Sequence, residues 1–174
     1  VQTQLISPAH GFSVMGCVQD AVSGNYMLTQ DSTKMPKNEA IELLYSIGAE
    51  SGVEELSHTK GNDVTGKQVF SALLPKDFTF YGDNCKIKDG QLTEGIIDAQ
   101  QLSEGRGFML RNIHKKYGAD LMGEILSNMF KLGVKYLLKM GFTTGITETD
   151  IPLEVKEEIK AELEKSYAEV EKLI

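Results

Sequence analysis

Residues 119–140 place Leu121, Met122, Ile125, Met129, Leu132, Tyr136 and Met140 three and four apart, one face of a helix about six turns long. A second run follows almost at once. Over residues 152–174, Val155, Ile159, Leu163, Tyr167, Val170 and Ile174 step by 4, 4, 4, 3 and 4, forming one apolar stripe. Two successive amphipathic helices commit the final third of the chain to helix, and whatever precedes them must pack on the first. The second run carries seven Glu and four Lys, a local charge of −3, and would be ~35 Å long. So small a domain cannot cover that length, so part of the stripe is expected to meet a helix outside this chain. The other reading is a helix hairpin, with the stripe folded back on its own domain.

The first two thirds read as short, mixed elements. Residues 1–35 are rich in small and turn-forming residues, and Ser7-Pro8 breaks an opening strand-like run. Residues 18–29 put Val18, Val22, Tyr26 and Leu28 near helical spacing. Pro36 and Asn38 open another helix through Ala40, Ile41, Leu43, Leu44 and Ile47, which Gly48 stops. Residues 49–64 are polar and read as loop. Thr65 then caps a helix that Pro75 ends, with Val69, Phe70, Leu73 and Leu74 toward the core. Phe78-Thr-Phe-Tyr alternates as a strand, and Cys85–Lys88 and Gln91–Ile97 form a hairpin around Asp89-Gly90, the pair suited to two positive-φ turn positions. Ser103-Glu-Gly-Arg-Gly is a loop. A helix over 107–117 has Phe108, Leu110 and Ile113 on its apolar side and ends at Gly118. Gly141 ends the six-turn helix, and Thr149 or Asp150 caps the last one, with Pro152 in its first turn. The expected class is α+β: short helices and a small antiparallel hairpin or sheet, then a helical C-terminal third ending in a long amphipathic helix.

Composition narrows function more than it identifies it. With 174 residues the chain is one domain or a domain with an appendage. It has no apolar run near the ~18 residues that cross a bilayer, and no basic-then-apolar leader pattern, so no membrane partner is expected. Eighteen Lys and Arg against 25 Asp and Glu give a net charge of −7, unsuited to gripping a duplex through its phosphates. A place inside a larger nucleic-acid machine stays open. Cys17 and Cys85 are far apart, and His10, His58 and His114 are scattered, so two reduced thiols are expected and no zinc site. Gly61-Asn-Asp-Val-Thr-Gly66-Lys67-Gln68 has the spacing of a phosphate loop, but Gln68 stands where Ser or Thr would hold Mg²⁺. The polar residues before it could not form a buried strand. No G-x-S-x-G elbow or nucleophile–base pair is present.

One run points further. Ile6 to Thr29, ISPAHGFSVMGCVQDAVSGNYMLT, has a Ser7-Pro8 turn, then Gly16, Gln19-Asp20, Gly24 and Leu28-Thr29. It resembles the opening of the pore domain in the largest subunit of multisubunit DNA-directed RNA polymerases. Thr65-Gly-Lys-Gln-Val-Phe-Ser with Leu74-Pro75, the hairpin Lys88-Asp-Gly-Gln-Leu-Thr-Glu-Gly-Ile-Ile-Asp, Phe108 to Gly118, and Gly141-Phe-Thr-Thr-Gly-Ile follow in family order. The likeness spans residues 2–152 and sits nearer the archaeal, eukaryotic and large-virus branch than the bacterial one.

The resemblance implies residues 1–148 as pore, or secondary-channel, domain and 149–174 as the start of a funnel helix cut before its partner. It implies a channel wall through which nucleoside triphosphates enter and the RNA 3′ end is extruded on backtracking. Partners would be the other polymerase subunits, the rest of the largest subunit, and a transcript-cleavage factor near the funnel. The location would be cytoplasmic and nucleoid-associated, or nuclear in a eukaryote. The parent enzyme is a nucleotidyltransferase that uses Mg²⁺. Its Asn-Ala-Asp-Phe-Asp-Gly-Asp motif does not occur here, so the chain alone is expected to be inactive and without a cofactor. Because it opens on Val1, it is expected to be cut from a longer protein, just after that motif. Candidate channel, RNA-end or triphosphate-proximal residues are Ser7, Pro8, His10, Gln19, Asp20, Lys115 and Lys116. Gln19 and Asp20 have two readings, contact with RNA or nucleotide, or a helix start that caps its own backbone. Lys115 and Lys116 lie either on the channel wall or in a solvated basic patch with His114. The competing reading of the whole is an independent soluble module that dimerises or binds a partner through its last helix.

Overall fold

A computed structural model describes residues 4–173 apart from Lys60 and Thr144. The first three residues of the opening run and Ile174 of the stripe therefore lie outside the described residues. The chain divides into two compact units at Gly141/Phe142.

The first unit is built on a helix pair. Helix α1 (Asp20–Leu28) crosses α7 (Ala119–Met140) with almost no side chain between them. A Cβ on Gly24 would lie 1.9 Å from the Gly133 carbonyl oxygen, and one on Gly133 would lie 2.2 Å from the Ala21 oxygen. The Asn25 amide fills the remaining gap, donating to Ala21 O at 2.7 Å and across to Met129 O at 2.8 Å. The expected inward face of α1 is therefore corrected. Val18 and Tyr26 are exposed, and Ala21, Gly24, Asn25 and Leu28 are buried, because the contact selects small residues rather than large apolar ones. On α7 the expected face holds for Met122, Ile125, Met129, Leu132 and Tyr136, whereas Met140 at the end is exposed.

Strand β1 (Lys34–Pro36) leads into α2 (Lys37–Ile47), which Gly48 closes at φ 82°. Residues expected as loop then form α3 (Glu50–His58) and β2 (Asp63–Thr65). With Val53 and Leu56 as its only larger apolar residues, α3 shows no readable period. It fits because Gly52 lets it approach Ala72, 2.9 Å from a built Cβ to the carbonyl oxygen. Strand β2 pairs antiparallel with β1, Met35 opposite Val64, both buried.

Thr65 caps α4 (Gly66–Ser71), its backbone N–H donating to Gln68 Oε1 at 2.8 Å and its hydroxyl accepting from the Gln68 N–H at 3.3 Å. That reciprocal cap is what the Gly66-Lys67-Gln68 sequence encodes in place of a phosphate loop. Strands β3 (Phe80–Tyr81), β4 (Cys85–Lys88) and β5 (Gln91–Gly95) form an antiparallel sheet. Asp89 and Gly90 make its turn at φ 49° and 74°, as two positive-φ positions require. Two hydroxyls tie this sheet to the helices. Ser71 Oγ accepts from Leu92 N at 2.8 Å, and Thr29 Oγ1 accepts from Ile97 N at 3.0 Å while donating to Asn25 O.

Helix α5 (Ala99–Leu102) and α6 (Phe108–Tyr117) complete the unit. Met109, Leu110 and Ile113 are the buried residues of α6, while Phe108 is 36% exposed, a second correction to the expected faces. Both cysteines are free and buried. Burial pushes the Cys17 thiol up to about 12 and the Cys85 thiol up to about 11.

In the second unit a 3₁₀ turn (Ile146–Thr149) precedes α8 (Leu153–Leu173). Helix α8 begins at Leu153, so Pro152 and neither Thr149 nor Asp150 occupies the N-cap position. The Thr149 hydroxyl donates to Ile146 O within the turn, and the Pro152 carbonyl accepts from Lys156 N, so Pro152 stands just before the helix. The stripe residues Val155, Ile159, Leu163, Tyr167 and Val170 are 40–70% exposed. No described helix is long and apolar enough to cross a membrane.

The glycine crossing sets a direct expectation. Gly24→Ala and Gly133→Ala should each destabilise the chain by about 3 kcal/mol, the upper end for overpacking, because the clash is with backbone. Urea unfolding followed by circular dichroism measures this, with Gly123→Ala on the open side of α7 as the near-neutral comparison.

Candidate functional site

The Ser7–Gly16 segment is closed on itself. Ser7 N–H donates to Phe12 O and Gly11 N–H to Ser7 O, both at 2.8 Å, and an Ile6–Ser13 bridge joins the two arms. Val14 N–H donates to Leu5 O, and Gly105 N–H to Ser13 O. Cys17 N–H donates to Leu102 O at 2.7 Å, and Gly16 lies so close to the Ser103–Glu104 backbone that no Cβ fits. The result is a rigidly mounted tip that exposes Pro8, Ala9 and His10, with Ser7 half-buried at its base.

Against this loop stands α6. Arg111 reaches Gly11 O with Nη1 at 3.3 Å, and its guanidinium lies 5.5 Å from the Phe12 ring centre and 4.8 Å from that of Phe108. Two rings holding one cation are worth roughly 0.5–1 kcal/mol each when partly exposed. His10 is 6.3 Å from Phe12, centre to centre. A cavity of about 290 Å³ opens between loop and helix, lined by Ile6, Gly11, Arg111, Asn112, His114 and Lys115. Of the candidate residues Lys115 lines this cavity, whereas Ser7, Pro8 and His10 belong to the loop on its other side and do not line it. Neither Arg111 nor Phe12 is marked as a site residue by the sequence alone. Phe108 and Arg111, three apart on one helix, are a readable pair, but nothing local links them to a phenylalanine about a hundred residues earlier.

Lys116 is committed elsewhere. Its Nζ lies 2.9 Å from Asp77 Oδ2 and donates to Asp77 O at 2.5 Å, while Tyr117 OH donates to Asp77 Oδ1 at 2.8 Å. The Lys116 hydrogen bond, with that of Tyr117, holds the Asp77 carboxyl below the usual carboxylate range, and Asp77 in turn raises Lys116. Burial, then the Asp77 contact, raises Tyr117.

Gln19 and Asp20 are exposed at the start of α1 and do not line the loop–helix cavity. The Gln19 side chain makes no capping bond; its carbonyl accepts from Val22 and Ser23 N–H. Gln19 also has φ 45° and ψ −119°, a conformation in which a side chain costs on the order of 1–3 kcal/mol. Such strain is concentrated at functional positions. The described residues offer no group of three or more His, Cys, Asp or Glu placed to hold a metal.

Comparison with known proteins gives the class first. The family model "RNA polymerase Rpb1, domain 3" matches residues 4–149, and the chain belongs to that family. Within it, the whole chain is similar to DNA-directed RNA polymerase subunit Rpo1N of three archaea. It is 31% identical to the Methanothermobacter thermautotrophicus protein, covering 22% of that relative. It is 31% identical to the Halobacterium salinarum protein, covering 19%, and 32% identical to the Methanococcus vannielii protein, covering 22%. The chain therefore spans about a fifth of the length of these curated relatives.

A depressed carboxyl contributes stability above its ordinary value of about 3.9, and that contribution is lost as pH falls through the lower folded value. Lys116→Gln should return the Asp77 titration toward the ordinary range in carbon-detected NMR. Neutral-pH stability should hardly change, because the pair is exposed.

Proposed function

We propose that residues 1–148 form part of the secondary-channel wall of a DNA-directed RNA polymerase, and that residues 149–174 begin its funnel. In this reading the parent complex is a nucleotidyltransferase whose Mg²⁺ is held by residues outside this chain, and the chain contributes shape rather than chemistry. Its partners are the rest of the largest subunit, the other subunits, and a cleavage factor at the funnel. The observation that carries the reading is the family match over residues 4–149. The surface is compatible with it. Pro8, His10, Gln19 and Asp20 are exposed on backbone held by hydrogen bonds, as suits side chains that meet a passing triphosphate or RNA end. The exposed α8 stripe suits a second funnel helix.

The test belongs in the assembled polymerase. A photo-crosslinking residue at position 10 should label the RNA 3′ end in a backtracked complex and lose that label when the RNA returns to register. His10→Ala and Gln19→Ala should each raise KM for nucleoside triphosphate about two- to tenfold with assembly intact, the effect of losing one polar contact. Unchanged KM and no RNA label in any complex would overturn the channel assignment.

A further inference from the structure

In a chain of net charge −7, the cavity between the Ser7–Gly16 loop and α6 has Arg, His and Lys on its wall and no carboxylate. Arg111, His114 and Lys115 stand at i, i+3 and i+4, so one helix face aims all three at the same space. Among the described residues neither Arg111 nor Lys115 has an ion-pair partner. Arg111 is the unusual member. Phe12 and Phe108 fix its guanidinium, its one protein acceptor is the Gly11 carbonyl at 3.3 Å, and its buried Nε–H has no partner. A buried donor left unsatisfied is costly, and an arginine restrained before its partner arrives loses little entropy on binding one.

We infer that this cavity is a binding site for a compact phosphate-bearing anion, a diphosphate or triphosphate group. Arg111 supplies planar donors to two oxygens, Lys115 a point charge from the rim, and His114 a third contact. A volume of about 290 Å³ accommodates such a group. A long polyanion is disfavoured because the chain as a whole carries a net charge of −7 and this cavity offers three basic side chains only. The inference deepens the channel reading, which already counts Lys115 among its triphosphate-proximal residues, and its test is separate because binding is read on this chain's own residues.

The full 174-residue chain, labelled with ¹⁵N, is titrated with inorganic pyrophosphate, with a nucleoside triphosphate, and with a short RNA lacking terminal phosphates. Pyrophosphate and the triphosphate should both shift the Arg111 Nε–H, His114 and Gly11 signals. A tighter triphosphate identifies a nucleotide as the source of the anion, and equal affinity identifies the free anion. Arg111→Lys, which keeps the charge and loses the fork, should weaken binding about tenfold. The exposed Lys115→Gln, which leaves the fold untouched, should weaken it about two- to fivefold. Shifts that map elsewhere, affinity unchanged in both variants, or RNA binding as tightly as pyrophosphate would each overturn the assignment.

Discussion

The backbone contact between α1 and α7 at Gly24 and Gly133 is the constraint on which the first unit depends. Removing two side chains lets the helices approach until carbonyl oxygens occupy the space of Cβ atoms. At that distance an apolar side chain is useless and a short amide is not, so Asn25 stitches the two backbones together. Consequences run outward from the crossing. The C-terminal end of α1 places the Leu28 carbonyl against Gly66, seating α4, and the Thr29 hydroxyl fixes the strand exit at Ile97. Its N-terminal end fixes where the Ser7–Gly16 segment must return.

The sequence made this architecture legible in proportion to how much of it rests on large apolar residues or obligatory turns. Leu, Ile and Met at helical spacing give α7, Asp89-Gly90 gives the hairpin, and Thr65 with Gln68 gives the capped start of α4. The crossing itself is hidden, because hydropathy assigns weight to Val18 and Tyr26 and almost none to Gly24. Helix α3 is hidden for a related reason: its packing rests on Gly52 and on only two apolar residues, Val53 and Leu56, too few to read as a stripe. The strands at Lys34–Pro36 and Asp63–Thr65 are three residues each, too short for alternation to register.

The candidate site divides in the same way. Ser7, Pro8, His10 and Lys115 are nominated through family likeness; the polar helix face by itself gives Lys115 only a place in a solvated basic patch. Arg111 is visible only in three dimensions, since the ring that holds it from above is far off in sequence. Lys115 and Lys116 look equivalent in sequence, yet a step of about 100° around the helix sends one to an open cavity and the other to Asp77. A basic pair on a helix is therefore two different residues until its faces are known.

The closed loop at Ser7–Phe12 has one more consequence. Its shape is held by main-chain hydrogen bonds between residues 7, 11 and 12 and by the bridge behind them, not by the side chains at its tip. Positions 8, 9 and 10 can therefore change chemical character without moving the mount. Such a tip separates presentation from identity: the scaffold decides where a side chain is displayed, and the residue at that position decides only what is displayed.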